Sequence, residues 1–205
     1  MKTIRTQFRF AFDFILSELS IFFLLAVGSF ILLTIFTTNL FSQNPEMGQK
    51  LMSSVVDKFQ GIIQNGEISF RSLLINNVQA SIMGILAGLI PFLFLPVLGI
   101  FTNAAILGLV FSSTKVALVP LWKVILVGIL PHGIFELTAF FLCYAMGISI
   151  CWNLTQKIIG DRRRDNLKTL IQNCFRVTIF FVVPLLIVAA LIETYVTGQL
   201  VSTFL

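Results

Sequence analysis

Residues 116–155 stay apolar for far longer than one membrane crossing needs, and Pro131-His132-Gly133 stands in their middle. A spanning helix takes about 20 residues, so this stretch must break, bend or tilt. The same place carries the only histidine in the sequence, with Glu136 four residues further on. A charge at the bilayer centre costs about 2.5–3.5 kcal/mol on insertion scales, so polar groups at this depth need partners. His132 and Glu136 fall on one helical face, and Pro131 suits the first position of a helix. A helix starting there aims its free N–H groups at the polar pair, as discontinuous helices do where they hold anionic groups or ions. The reading that follows is a half-helix or re-entrant segment over 116–130 and a crossing over 131–155. One kinked, tilted helix is the alternative, since proline is a common cause of bending.

Composition places the rest of the chain in the membrane as well. Hydrophobic residues make up 57% of the 205, charged residues 11%, and mean hydropathy is +0.98, more apolar surface than a soluble core of this size could bury. The expected fold is all-α, a polytopic membrane helical bundle forming one integral membrane domain over 1–205. Its crossings fall at about 16–40, 73–95, 97–114, 131–155 and 175–197, with a broken or re-entrant helix near Pro131. The apolar run from Leu16 to Leu40 is too long for a cleavable signal and reads as a retained first span. Residues 1–14, basic and aromatic, read as an interfacial lead-in. Between the first two spans, Met47, Leu51, Val55, Phe59 and Ile63 recur every four residues, which predicts an amphipathic outer segment lying on the bilayer or the bundle.

The net charge of +5 does not imply nucleic acid, because the basic residues sit in short segments between apolar spans rather than on one face. Lys2, Arg5 and Arg9 precede the first span, and Lys157, Arg162, Arg163, Arg164 and Lys168 lie between the last two. Five crossings with a cytoplasmic amino terminus put both groups inside. Cys143, Cys151 and Cys174 lack metal-type spacing and read as small buried apolar residues.

In that topology Asn77, His132, Glu136 and Glu193 fall near the outer ends of their spans and Asn103 about midway through the third, so the five can meet in the outer half of the bundle and satisfy one another's hydrogen bonds. Interhelical bonding alone is one account of them; binding of a peptide, lipid or partner is another. Catalysis by Glu136 with His132, and with Glu193 as a further candidate, is a third. No zinc-hydrolase His-Glu-x-x-His, Gly-x-Ser-x-Gly or phosphate-loop motif is present, so no cofactor or metal is expected and no catalytic residue is assigned. Ala80, Gly84 and Gly88 form a close-packing face, with Gly108 a further packing position.

These residues carry a resemblance. Asn76-Asn77 with Ala80, Gly84 and Gly88, then Asn103 with Leu107-Gly108, resemble the stage II sporulation protein M family of bacterial integral membrane proteins. So do Leu130-Pro131-His132-Gly133-Ile134-Phe135-Glu136-Leu137 with Ala139 and Gly147, and Ala189-Ala190-Leu191-Ile192-Glu193 with Thr197. The resemblance covers about residues 70–200; Ala104 departs from it, standing where the family usually has glycine. It implies an all-helical protein of about five spans. It also implies partners: the namesake anchors peptidoglycan-degrading proteins, and similar proteins accompany circular bacteriocin maturation, export or immunity, or ATP-driven exporters. The expected function is thus a membrane accessory protein working through an ABC exporter or a peptidoglycan hydrolase complex, with a peptide as a possible substrate. An intramembrane peptide hydrolase or ligase using Glu136 and His132, and a small transporter or channel, are the alternatives. The outer segment 46–63 and the basic loop 157–168 are the expected docking surfaces.

Overall fold

A backbone whose polar groups meet no water must bond to itself, and in a chain this apolar that means helices. The computed structural model describes residues 2–59, 63–64, 67–116, 120–160 and 167–204, and it is helical almost throughout. Five helical paths are long and apolar enough to cross a membrane: Thr3–Gln43, Phe70–Leu89, Pro96–Ser113, Leu121–Ile159 and Leu167–Val201. They are built from α1 (Lys2–Phe14), α2 (Ser20–Gln43), α4 (Phe70–Leu86), α5 (Pro96–Val116), α6 (Leu121–Lys123), α7 (Leu130–Ile159), α8 (Leu167–Val177), α9 (Val183–Ile192) and α10 (Gly198–Phe204). Helix α3 (Pro45–Phe59) lies between the first two paths.

Helix α7 is the axis of the bundle. From Ala139 to Cys151 every residue but Ile148 is buried, the mark of a helix surrounded on all sides. Phe23 and Phe30 of α2 meet Phe140 and Phe141 of α7 edge-on, with ring centres 5.3–6.2 Å apart. The outer helices carry large apolar side chains to the surface, such as Leu24, Leu32 and Leu98, each more than half exposed, as a lipid-facing surface requires.

Within the long apolar stretch, where the sequence predicts a half-helix over 116–130 and a crossing over 131–155, the described residues Leu121–Ile159 form one helical path that passes through Pro131. Leu121 to Ile159 is 39 residues, about 58 Å at 1.5 Å per residue and well beyond a hydrocarbon core of about 30 Å. The predicted break at Pro131 is a π-helical segment, Val124–Ile129, immediately before the proline. Proline has no N–H, and its ring crowds the carbonyl four residues back; widening the preceding turn accommodates both. Pro184 follows the same pattern, with π-helical Thr178–Val182 before it.

The second crossing ends earlier than the 73–95 expected. The residue before a proline disfavours the helical region, and Ile90, ahead of Pro91, is extended. The chain then turns through Phe92 and Phe94, both at positive φ (67° and 45°), an outlying conformation for so bulky a residue. Helix α7 holds this turn: the Phe92 N–H donates to Thr155 Oγ1 at 2.9 Å, and Cys151 Sγ donates to the Ile90 carbonyl at 3.3 Å.

The outer segment is shorter than its four-residue periodicity predicts. Its helix ends at Phe59, and Ile63 belongs instead to a two-residue antiparallel ribbon with Ile68. Of the predicted stripe, Met47 and Leu51 are exposed and Val55 is half-buried, while Gly48 rests on Phe41 and Leu109. That leaves an apolar face outward, as an interfacial helix presents it. The basic loop 157–168 falls partly outside the described residues.

At the opposite end of the bundle the lead-in helix α1 packs along α8. Arg176 Nε donates to Gln7 Oε1 at 2.6 Å, Nη1 to Asn173 Oδ1 at 2.5 Å, and the guanidinium lies 5.4 Å from the Phe10 ring centre. Phe8 stacks on Phe181 with ring centres 5.1 Å apart. Charge-assisted hydrogen bonds contribute about 1.5–3 kcal/mol. Arg176→Ala is therefore expected to speed amide exchange over residues 2–14 by tenfold or more while the other helices stay protected. Unchanged exchange there would mean that the aromatic stack alone holds α1.

Candidate functional site

Four helices bring polar groups to one cavity of about 280 Å³. Helix α4 contributes Asn76, Asn77 and Ser81; α5 contributes Asn103; α7 contributes His132 and Glu136; and the turn after α9 contributes Glu193. All five polar residues expected to converge from the sequence line this cavity. Among the described residues, no lysine or arginine does.

The local folding explains how each arrives. Asn77, Ser81 and Gly84 of α4 and Gly88 of the 3-10 turn that follows it are a buried stripe repeating at helical spacing. Its glycine end packs closely on α7. A methyl group at Gly88 would collide with the Gly147 carbonyl of α7, and one at Gly84 would stand 3.1 Å from the Tyr144 ring. Gly108 likewise lies against Thr37 of α2, whose hydroxyl donates to Leu33 O at 2.8 Å. Ala80 is placed differently from the packing face expected of it. It is exposed and lines the cavity, while Asn77 and Ser81 continue the contact stripe.

On the other wall α7 and α9 run antiparallel, which sets His132 beside the last helix. His132 Nδ1 lies 3.1 Å from Thr197 Oγ1, and Nε2 lies 3.9 Å from Glu193 Oε2. His132, Glu136 and Glu193 each offer one atom within 4.8 Å of the others. Glu193 and Thr197 bound a second π-helical segment at the site, Glu193–Thr197, and such segments recur at functional sites because they re-aim side chains.

The amides show what the cavity leaves open. Asn103 Nδ2 donates to Gly99 O at 3.0 Å within its own helix, so part of its capacity is already used. Asn77 is 8% exposed; its Oδ1 accepts a long bond from Asn76 Nδ2 at 3.4 Å, and its side chain also interacts with the Glu136 carboxyl, although Nδ2 makes no well-formed hydrogen bond among the described residues. A buried donor so loosely satisfied can have its bonding completed by an occupant of the cavity. Thr197 and Asn76 were not among the expected site residues. The signal for Thr197 was its i, i+4 spacing from Glu193; for Asn76 it was adjacency to Asn77.

Among the described residues, five apolar helical paths with a half-buried polar cluster between them define a multi-pass membrane protein. Residues 7–198 match the stage II sporulation protein M family, and the chain belongs to it. It is also similar to an uncharacterized protein of Methanocaldococcus jannaschii, 28% identical over 155 residues, covering 75% of this chain and 85% of that protein. No solved structure matches the chain. Family membership supports a membrane accessory protein in general terms.

Proposed function

We propose that this protein organises peptide maturation and export, or cell-envelope remodelling, by holding part of a partner or peptide in the polar cavity. The observation that carries the reading is the polar cavity shared by four helices, with the loosely satisfied Asn77 amide on its wall. About 280 Å³ lies just below the usual range for small-molecule sites, so it suits a side chain or a chain terminus rather than a whole folded ligand. In this reading the basic end of the bundle, with Arg5, Arg9, Lys157 and Arg176, faces the bacterial cytoplasm. The cavity then opens toward the outer half of the membrane. The exposed apolar face of α3, with Met47 and Leu51, is the outer docking surface, and the basic loop 157–168 is the inner one. The chain holds no ATP-binding phosphate loop, so active export needs an ABC partner.

Affinity purification from the native host in mild detergent, with mass spectrometry of partners and small peptides, tests this. An ABC exporter or a precursor peptide is the result expected for export and maturation, and a peptidoglycan hydrolase for envelope remodelling. Recovery of the protein alone would overturn the accessory reading.

A further inference from the structure

We infer that His132, Glu136 and Glu193 bind one divalent transition-metal cation of the zinc type, with an open coordination position facing the cavity. Their three donor atoms lie within 4.8 Å of one another, contributed by two antiparallel helical paths. Tetrahedral zinc, with bonds of about 2.0–2.2 Å, sets its donors about 3.4 Å apart. The His132 Nε2 to Glu193 Oε2 separation of 3.9 Å needs to close by only about 0.5 Å to reach that spacing.

Three further observations point the same way. The first is orientation. Metal-bound histidines usually engage a partner through the other ring nitrogen, and His132 Nδ1 meets Thr197 Oγ1 at 3.1 Å, leaving Nε2 toward the carboxylates. The second is charge. Two carboxylates share the cavity and no lysine or arginine among the described residues lines it. One divalent cation, two carboxylates and a neutral imidazole sum to zero, which suits a region where uncompensated charge is expensive. The third is Asn77, more than nine-tenths buried and lining the same cavity, whose side chain interacts with the Glu136 carboxyl, the kind of contact that orients a ligating carboxylate.

The donor set selects the class of ion. Calcium takes six to eight oxygens, and magnesium seeks an octahedral oxygen shell, whereas one imidazole and two carboxylates with an open position suit zinc and its neighbours. Such an ion would polarise a carbonyl or bind a carboxylate entering the cavity. The inference goes beyond the partner reading and stands without it, because a bare metal ion tests it with no peptide or partner present.

The experiment is titration of the purified full-length protein in detergent with Zn²⁺, read by metal content after desalting, and with Co²⁺, read by visible absorption. The expected result is one metal per chain, with a nitrogen–oxygen cobalt spectrum and no thiolate charge-transfer band. Glu136→Gln and Glu193→Gln are expected to lose at least tenfold in affinity with helical content unchanged. Thr197→Val, which leaves all three donors in place, is expected to lose about 10–100-fold. If the carboxylate variants fail to fold, Thr197→Val and the wild-type spectrum still decide. A wild-type protein that stays metal-free would overturn the inference. Binding that persists in the folded variants, or that carries a thiolate signature from Cys143, Cys151 or Cys174, would overturn it too.

Discussion

Gly88→Val is expected to abolish stable folding, or to lower the melting temperature in detergent more than any other single substitution considered. A side chain at Gly88 would run into the backbone carbonyl of Gly147, and a backbone cannot rotate aside as a flexible side chain can. Nor can α7 shift to make room at Gly147, because the fit there is already so close that a Cβ added at Gly147 would run into the Gly84 carbonyl and stand 2.9 Å from Pro96 Cγ. Overpacking a tight core commonly costs about 1–3 kcal/mol and more where backbone must move, so the upper end or beyond is expected. Gly28→Ala is the control. No atom lies within 4 Å of a Cβ there, and alanine favours a helix by about 1 kcal/mol over glycine, so stability should hold or rise. Equal melting of the Gly88 variant and wild type would mean that α4 and α7 do not cross as described.

Asn77→Leu separates a structural role from a binding role at the cavity. Leucine has nearly the shape of asparagine without its polar atoms. The substitution removes a poorly satisfied buried donor, and gives up a long 3.4 Å bond from Asn76 and the loose contact with Glu136. The melting temperature should therefore stay level or rise, while recovery of the native partner or peptide falls at least tenfold. Stabilisation bought at the expense of function is the usual sign of a residue kept for binding. A clear drop in melting temperature would instead identify Asn77 as interhelical glue whose partner is Glu136.

Much of this was legible from the chain. Each apolar run was at least long enough for a crossing, and each had to be helical because lipid offers no partner for a peptide group. The convergence of Asn77, Asn103, His132, Glu136 and Glu193 was legible for a related reason. Polar side chains are rare in such a chain, and topology left them one depth at which to meet. Their identities and spacings also carried the family resemblance.

What the sequence could not decide was which of two equally periodic faces would be used. Ala80-Gly84-Gly88 and Asn77-Ser81-Gly84-Gly88 are both proper helical stripes, and only Tyr144 and Gly147 on the facing helix select the second. The outer segment had the same ambiguity, settled by Gly48 finding Phe41. Pro131 announced a disturbance, but a broken helix and a widened turn remove the same clash, and the neighbours of α7 determine which occurs. Phe92 and Phe94 announced nothing, since no local preference places phenylalanine at positive φ; Thr155, 63 residues away, receives the bond that holds Phe92 there. Local periodicity and hydropathy thus determined the helices, their number and the polar residues among them. The pairing of faces, the π-helical turns and the closeness of His132 to Glu193 were decided by tertiary packing, because each depends on atoms far apart in the sequence that only the folded bundle brings together.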